Sequence, residues 1–464
     1  MTIDSRWTAL DDKSHPGRPV GPEIDRASAT DLMEFITDTA GHPNHVAAVL
    51  MLDATPSMGE LREALDARIR AVPRLRRRLV RSPFGCGRPI WVDDPSFDIT
   101  NHVNLFDCPY LTDKASMLHL AAELAGGRMW EERPLWHSYL ITNLEGGRSA
   151  LLVVFHHVLA DGIGGLAALT KLVDGAPPAP VVDFPQPRPG RRALFADAMR
   201  TRAYAGRHLL TGVRRIRAAA TELGLSKRIR APRTSLNQKV GRHRNLAVAR
   251  VELAAVRATG HKYDATVNDV MLTAIGGALG KLLRHRGETV DRLVISIPVS
   301  ARREADATEL GNQVGVIPVA VPVSGDPFDR LVAIAEITGR RKAAARGASA
   351  VLLAPMFRTL GSLGLLRWYV NHQHRVNTFV TNVRGPQERL SLLGMPVREV
   401  IPIGHTTGNV SVAFAVLGYA GRLIVTVTAD REIFVEAEDL AVLSAELQAQ
   451  LDILTMPDFS EPES

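Results

Sequence analysis

The feature that most constrains this chain is a junction between a buried strand and a helix. Residues 150–154 form an apolar run of the kind that fills a core strand. It passes into Phe155-His156-His157-Val158-Leu159-Ala160-Asp161-Gly162, and Gly164-Gly165 then opens Leu166-Ala167-Ala168-Leu169 as the start of a helix. Two adjacent histidines therefore sit where a core strand stops. A base placed there is held by a rigid element yet faces a cleft. Asp161, four residues after His157, is suited to pair with a cation and pin the loop. Gly162 is expected to supply a backbone conformation that other residues resist. The alternative is a pair of satisfied structural histidines. No metal is expected, because His137 lies on the preceding strand and the two cysteines are distant, so no zinc set is complete.

At 464 residues the chain is long enough for two domains. Hydrophobic residues at 45% and charged residues at 23% describe a globular protein rather than a disordered or fibrous one. Cys86 and Cys108 make no disulfide framework, which suits a reducing cytoplasm. Residues 1–27 are polar, with Pro16, Pro19 and Pro22, and read as a loose arm rather than a signal peptide. No apolar run approaches the roughly 18 residues a membrane span needs. The net charge of +7 is concentrated: residues 188–244 hold 16 Lys/Arg against Asp197 and Glu222, an excess of +14 that leaves the remainder at −7. That argues against a uniformly nucleic-acid-binding surface.

In chain order, residues 47–52 read as a strand and residues 58–70 as an amphipathic helix, with Leu61, Leu65 and Ile69 at four-residue spacing. The run Pro73-Arg74-Leu75-Arg76-Arg77-Arg78-Leu79 reads as a solvated face. A second helix is expected over 118–130 and a strand over 136–142, opened by Arg133-Pro134-Leu135-Trp136. Residues 175–190 carry six prolines and read as a crossing linker. Beyond it Phe195, Met199, Leu209, Val213 and Ile216 recur at helical spacing among arginines. This is either a surface-binding amphipathic element or a connecting helix. The second half shows a strand over 246–253 and a long helix starting at Thr266-Val267-Asn268-Asp269, whose spacing is that of a capping box. A strand over 294–299, a hairpin turning at Gly418-Tyr419-Ala420-Gly421 and a terminal helix with Leu440, Leu443, Leu447, Leu451 and Leu454 follow. Residues 458–464 are expected to be disordered.

The spacing His-His-x-x-x-Asp-Gly after a strand resembles the signature of the CoA-dependent acyltransferase superfamily. The other motifs place the chain beside the bacterial wax ester synthase/diacylglycerol acyltransferases. These are the acidic-aromatic opening from Asp31 with Pro43-Asn44-His45-Val46, Pro134-Leu135-Trp136, Thr266-Val267-Asn268-Asp269-Val270, Pro298-Val299-Ser300-Ala301-Arg302, Leu310-Gly311-Asn312-Gln313 and Thr381-Asn382-Val383-Arg384-Gly385-Pro386. The last departs from the family, which usually has a second proline where Arg384 stands. The resemblance runs from about residue 29 to 454. It implies an α/β (α+β) fold of two chloramphenicol-acetyltransferase-like domains forming a substrate tunnel. The expected division is an arm over 1–27, an N-terminal domain over 28–175, a Pro-rich and basic linker over 176–245 and a C-terminal domain over 246–464.

The resemblance also implies an activity: transfer of a fatty acyl group from acyl-CoA, a co-substrate rather than a cofactor, to diacylglycerol or a long-chain alcohol. His157 is expected to act as general base with His156 supporting it. Asp161 and Gly162 would shape the loop, and Arg302 would brace Asp161, with Arg303 as a competitor for that role. Trp136, Asn268, Asp269, Asn312 and Asn382 are expected along the tunnel, with the Asn268-Asp269 helix facing it. The implied partners are the lipid substrates and an anionic membrane or droplet surface, with no nucleic acid, and the implied location is cytoplasmic and peripheral to the membrane. Two alternatives stand beside this: an acyltransferase fed by a carrier protein, and a non-catalytic lipid-binding protein. Chain-length preference, acceptor, oligomeric state and the oxyanion donors are not legible in the sequence.

Overall fold

The computed structural model describes residues 24–28, 31–32, 34–35, 38, 43–107, 113–178, 182–207, 230–300, 314–344, 360, 363–435 and 437–456. The first part of the chain supplies β1 (His45–Leu52), α1 (Met58–Ile69), β2 (Arg77–Val80), β3 (Ile90–Asp93), β4 (Val103–Phe106), α2 (Lys114–Ala125), β5 (Trp136–Leu144), β6 (Arg148–His156), α3 (Gly162–Leu172) and α4 (Arg191–Arg207). The second supplies β7 (Arg244–Glu252), α5 (Leu253–Lys262), α6 (Val267–His285), β8 (Arg292–Ser300), β9 (Val314–Pro322), α7 (Pro327–Ala344), α8 (Leu366–Asn371), β10 (Thr378–Arg384), β11 (Ser391–Leu392), β12 (Met395–Ile403), β13 (Val412–Tyr419), β14 (Arg422–Asp430) and α9 (Ala437–Thr455).

Two six-stranded sheets organise these elements. The first has the order β11-β12-β1-β6-β5-β4 and the second β7-β14-β13-β10-β8-β9, with β2-β3 as a separate ribbon. The continuous apolar run that ends in the histidines is β6, buried from Ser149 to His156 because protein covers both of its faces. β13 is buried along its whole length for the same reason. The hairpin turn falls where expected: Ala420 and Gly421 take φ of 47° and 85°, the two left-handed residues that a tight two-residue hairpin needs. The second helix begins and ends earlier than its apolar pattern suggests. The Asp113 side chain caps its first turn by accepting from Ser116 N, and the chain leaves the helix at Gly126.

The strand Met395–Ile403 lies in the stretch that the sequence groups with the second domain, yet it joins the first sheet. It pairs antiparallel with β1 from Ala47↔Ile403 to Leu52↔Val397. Without it β1, whose other edge is taken by β6, would leave a buried row of backbone donors and acceptors unpaired. The exchange carries the residues just beyond Ile403 to the level of the histidines on β1 and β6.

Candidate active site

His45 opens β1 directly opposite His156 at the end of β6. The two rings approach edge-on, with centroids 5.5 Å apart. His45 donates from Nδ1 to Ala125 O at 2.9 Å. Burial, then the neighbouring His156, lowers its pKa to about 4. His156 is 1% exposed and is held at both nitrogens. Val158 N–H donates to Nδ1 at 3.0 Å, which leaves the ring proton on Nε2, and Nε2 lies 2.8 Å from Asp38 Oδ2. Asp38, His45 and His156 present ligand atoms within 4.8 Å of one another. A metal would need the Nε2 lone pair of His156, which this tautomer does not offer. The trio is built for a hydrogen bond.

His157 also has an acid beside it but lines a cavity instead of the core. Its backbone N–H donates to Asn44 O at 2.8 Å, which fixes the main chain and leaves the ring to face outward from the sheet. Its Nδ1 lies 4.0 Å from Glu34 Oε2. Glu34 is itself anchored, its carboxylate accepting from Asn44 Nδ2 at 2.6 Å. On the other side the His405 ring stands 5.1 Å away at 77°. Glu34, Asp38 and His405 were not singled out from the sequence. The acidic opening at Asp31 was the available signal for the first two; His405 matched none of the motifs.

His157 and His405 line one cavity between the sheets, walled by Phe155, Leu166, Leu169, Val383, Val400 and Leu417. Its enclosed volume is about 120 Å³, and it opens to solvent. The wall is apolar, and histidines are its titratable groups among the described residues. Burial first, and His157 second, pulls the pKa of His405 down to about 3.

Asp161 sits at the N-cap of α3, accepting from Gly164 N at 2.8 Å. Arg302, its expected partner, lies outside the described residues, as do Arg303 and Asn312. Gly162 contributes in a different way from the one its position suggested. Its backbone is not left-handed; a Cβ there would come within 3.1 Å of Val383 and 3.3 Å of Thr381 on β10. The glycine lets α3 approach the second sheet.

Among the described residues, Trp136, Asn268, Asp269 and Asn382 do not line this cavity. Trp136 is fully buried, donates from Nε1 to Leu75 O at 2.8 Å and stacks on His102 at 4.7 Å. Asp269 completes the capping box of α6 and accepts from Thr338 Oγ1 at 2.6 Å, so its carboxylate is spent inside the core. Asn382 donates to Asn268 Oδ1 at 3.5 Å. On β10 the residues Phe379, Thr381 and Val383 line the cavity, while Val380 belongs to the core that α6 enters. Strand alternation puts Asn382 on the Val380 side. α6 packs into the core that includes Val380, and among the described residues its Asn268 and Asp269 do not line this cavity.

The family model for the wax ester synthase/diacylglycerol acyltransferase catalytic domain matches residues 28–271, and the model for the C-terminal domain of the same family matches residues 310–454. A probable diacylglycerol O-acyltransferase of Mycobacterium tuberculosis is 30% identical over 401 residues, covering 83% of this chain and 86% of that protein. A second such protein, putative, from the same organism is 27% identical over 437 residues, covering 88% of this chain and 86% of its own. Among solved structures, the wax ester synthase/diacylglycerol acyltransferase of Marinobacter aquaeolei VT8 superposes with a TM-score of 0.64 at 21% identity, covering 92% of this chain and 99% of that one. The first condensation domain of the calcium-dependent antibiotic synthetase gives 0.63 at 15% identity, covering 94% and 96%. At such identities these two likenesses speak for the fold.

Proposed function

The chain belongs to the wax ester synthase/diacylglycerol acyltransferase family, and from that premise we propose that it moves a fatty acyl group from acyl-CoA to diacylglycerol or a long-chain alcohol, with His157 as general base. The observation that carries this reading is the placement of His157 on the wall of an apolar cavity between the two sheets. The cavity offers the acyl chain burial at roughly 0.8 kcal/mol per methylene. The acceptor hydroxyl attacks the thioester carbon as His157 takes its proton. Collapse of the tetrahedral intermediate then breaks the C–S bond, and the proton returns to the departing thiolate. A neutral imidazole suits both transfers near neutral pH.

The same reading keeps the two-domain division over 28–175 and 246–464, with β11 and β12 as an exchange between them. It also includes attachment to a lipid surface. Among the described residues no helix is long and apolar enough to cross a membrane. On α4, Phe195 and Met199 are 50% and 37% exposed, beside the exposed Arg191, Arg192, Arg200 and Arg202, and Phe84 is fully exposed nearby. A cationic, apolar surface of that kind suits an anionic interface. Arg214, Arg215 and Arg217 of the same basic stretch lie outside the described residues.

The test is incubation of purified protein with palmitoyl-CoA and either hexadecanol or dioleoylglycerol, with products separated by thin-layer chromatography. Wax ester or triacylglycerol is expected. Absence of both products, with activity restored by a carrier-protein-bound acyl donor, would replace acyl-CoA as the donor; absence under all donors would overturn the reading.

A further inference from the structure

Any acyl transfer by this route builds negative charge on the thioester carbonyl oxygen, and that charge needs a donor close to the base. His405 is placed for it by the strand exchange described above. β12 ends at Ile403 opposite Ala47, so two residues further His405 reaches the level of His45, which is itself paired with His156. His405 then meets His157 with centroids 5.1 Å apart and planes at 77°. Both rings line the same cavity. The influences on the His405 ring are burial, the neighbouring histidines and Arg244, with no hydrogen bond among the described residues. The ring is enclosed by protein, but its cavity-facing surface remains accessible. A polar group so enclosed and left to face a cavity is expected to find its partner in what enters that cavity.

We propose that His405 is a further catalytic residue, donating a ring N–H to the thioester carbonyl oxygen as it becomes an oxyanion, while His157 takes the hydroxyl proton from the attacking alcohol. The inference rests on the acyl-transfer reading and adds a residue to it. As the hydroxyl oxygen bonds to the carbonyl carbon, the carbonyl π pair moves onto oxygen opposite His405. When the carbonyl re-forms, the C–S bond breaks and the thiolate receives the proton from His157. The His405 proton stays on His405 throughout. Its low pKa, about 3, keeps the ring neutral near pH 7. A neutral imidazole stabilises a growing oxyanion without competing for the proton that His157 handles, and a preformed donor in an apolar cavity needs little reorganisation.

The experiment compares wild type, His405→Leu and His405→Gln, with His157→Ala alongside. Turnover is measured with palmitoyl-CoA and dioleoylglycerol. Inhibition is measured with a CoA analogue whose thioester is replaced by a trifluoromethyl ketone, which hydrates to a tetrahedral mimic. His405→Leu is expected to lower kcat by about 100-fold or more, the scale for losing one oxyanion donor. KM for palmitoyl-CoA should stay within about 2-fold, with analogue affinity falling in parallel with kcat/KM. His405→Gln, which keeps a donor, should recover about 10-fold of the loss. If leucine is not accommodated, His405→Phe keeps the ring volume without the donor and reads the same quantity. A folded His405→Leu or His405→Phe protein that keeps kcat within about 3-fold, or that binds substrate and analogue equally poorly, overturns the proposal. If His157→Ala is inactive in that same series, the acyl-transfer reading survives while this inference falls; a wild type that makes no product sinks the reading itself.

Discussion

The two sheets use their polar residues in opposite ways. On the first, His156 and His157 lie at the end of β6, with acids of the preceding segment beside both rings: Asp38 at 2.8 Å from one and Glu34 at 4.0 Å from the other. On the second, the polar residues that motif spacing nominated do not line the cavity: Asp269 is buried, and Asn268 and Asn382 are half-buried. Asp269 caps its own helix and holds Thr338, and Asn382 reaches Asn268 on the side away from the cavity. Both regions use the same local chemistry of caps and carboxylate hydrogen bonds. What separates them is which face of the strand looks across the gap, and strand alternation decides that. Even within the first sheet the contrast recurs between neighbours: His156 is held at both nitrogens, while His157 lines the cavity.

The largest expected effect breaks or confirms that last contrast. His157→Ala should lower kcat/KM by about 100-fold or more, the usual scale for a lost general base, with a melting temperature near wild type. His156→Ala should instead lower the melting temperature, because it strands the Val158 amide and the Asp38 carboxylate, about 1–3 kcal/mol for a buried polar group left unpaired. Thermal melts and steady-state kinetics on both variants decide it. Equal activity losses at equal stability would mean the two rings share one role.

Next in size is the second sheet's polar residue. Asp269→Ala removes a helix cap and a buried partner of Thr338, and should cost about 2 kcal/mol in urea unfolding. Activity per folded molecule should hold. Loss of turnover without loss of stability would place Asp269 against substrate and cancel the contrast between the sheets.

A smaller, graded effect follows from the buried histidines. His102 donates from Nδ1 to Trp136 O at 2.8 Å, and burial lowers its pKa to about 4. With an ordinary unfolded value near 6.5, the unfolded chain binds the proton more readily. Stability is therefore full above about pH 6.5 and falls as pH drops toward 4, at up to roughly 1.4 kcal/mol per pH unit for such a group. Urea unfolding of wild type and His102→Gln between pH 7 and 4.5 should show the variant losing part of this slope. An unchanged slope would show that His102 takes up no extra proton on unfolding.

The last effect concerns the outer surface rather than the cavity and is read as binding, not as turnover or stability. Replacing Arg192, Arg200 and Arg202 by Gln should weaken co-sedimentation with anionic liposomes, by roughly 1 kcal/mol per arginine at low salt and less as salt screens the charges. Activity on detergent-dispersed substrate should be spared. Wild-type protein that does not sediment with such liposomes at low salt would leave α4 as a connector.

The sequence by itself determined most of the local elements and the place of the paired histidines at a strand end. An all-apolar run can only be a buried strand or helix segment, a Thr-x-x-Asp spacing caps a helix, and an Ala-Gly pair after a strand turns it into a hairpin. These are short-range consequences of side-chain size, hydrogen bonding and backbone freedom, so they can be read locally. Motif order likewise identified the family. The tertiary structure alone decided which polar residues meet at His157. Glu34 and His405 come to His157 from far along the chain in both directions, one from the segment before β1 and the other from the end of β12. The latter arrives because β1 needs a partner on its second edge, and backbone pairing carries no residue-specific signature. The same holds for Gly162, whose close neighbours are Val383 and Thr381 on the other sheet. Sheet pairing between distant segments is set by burial and hydrogen-bond completion across the whole fold, and that is why these contacts could not be read from the residues around the histidines.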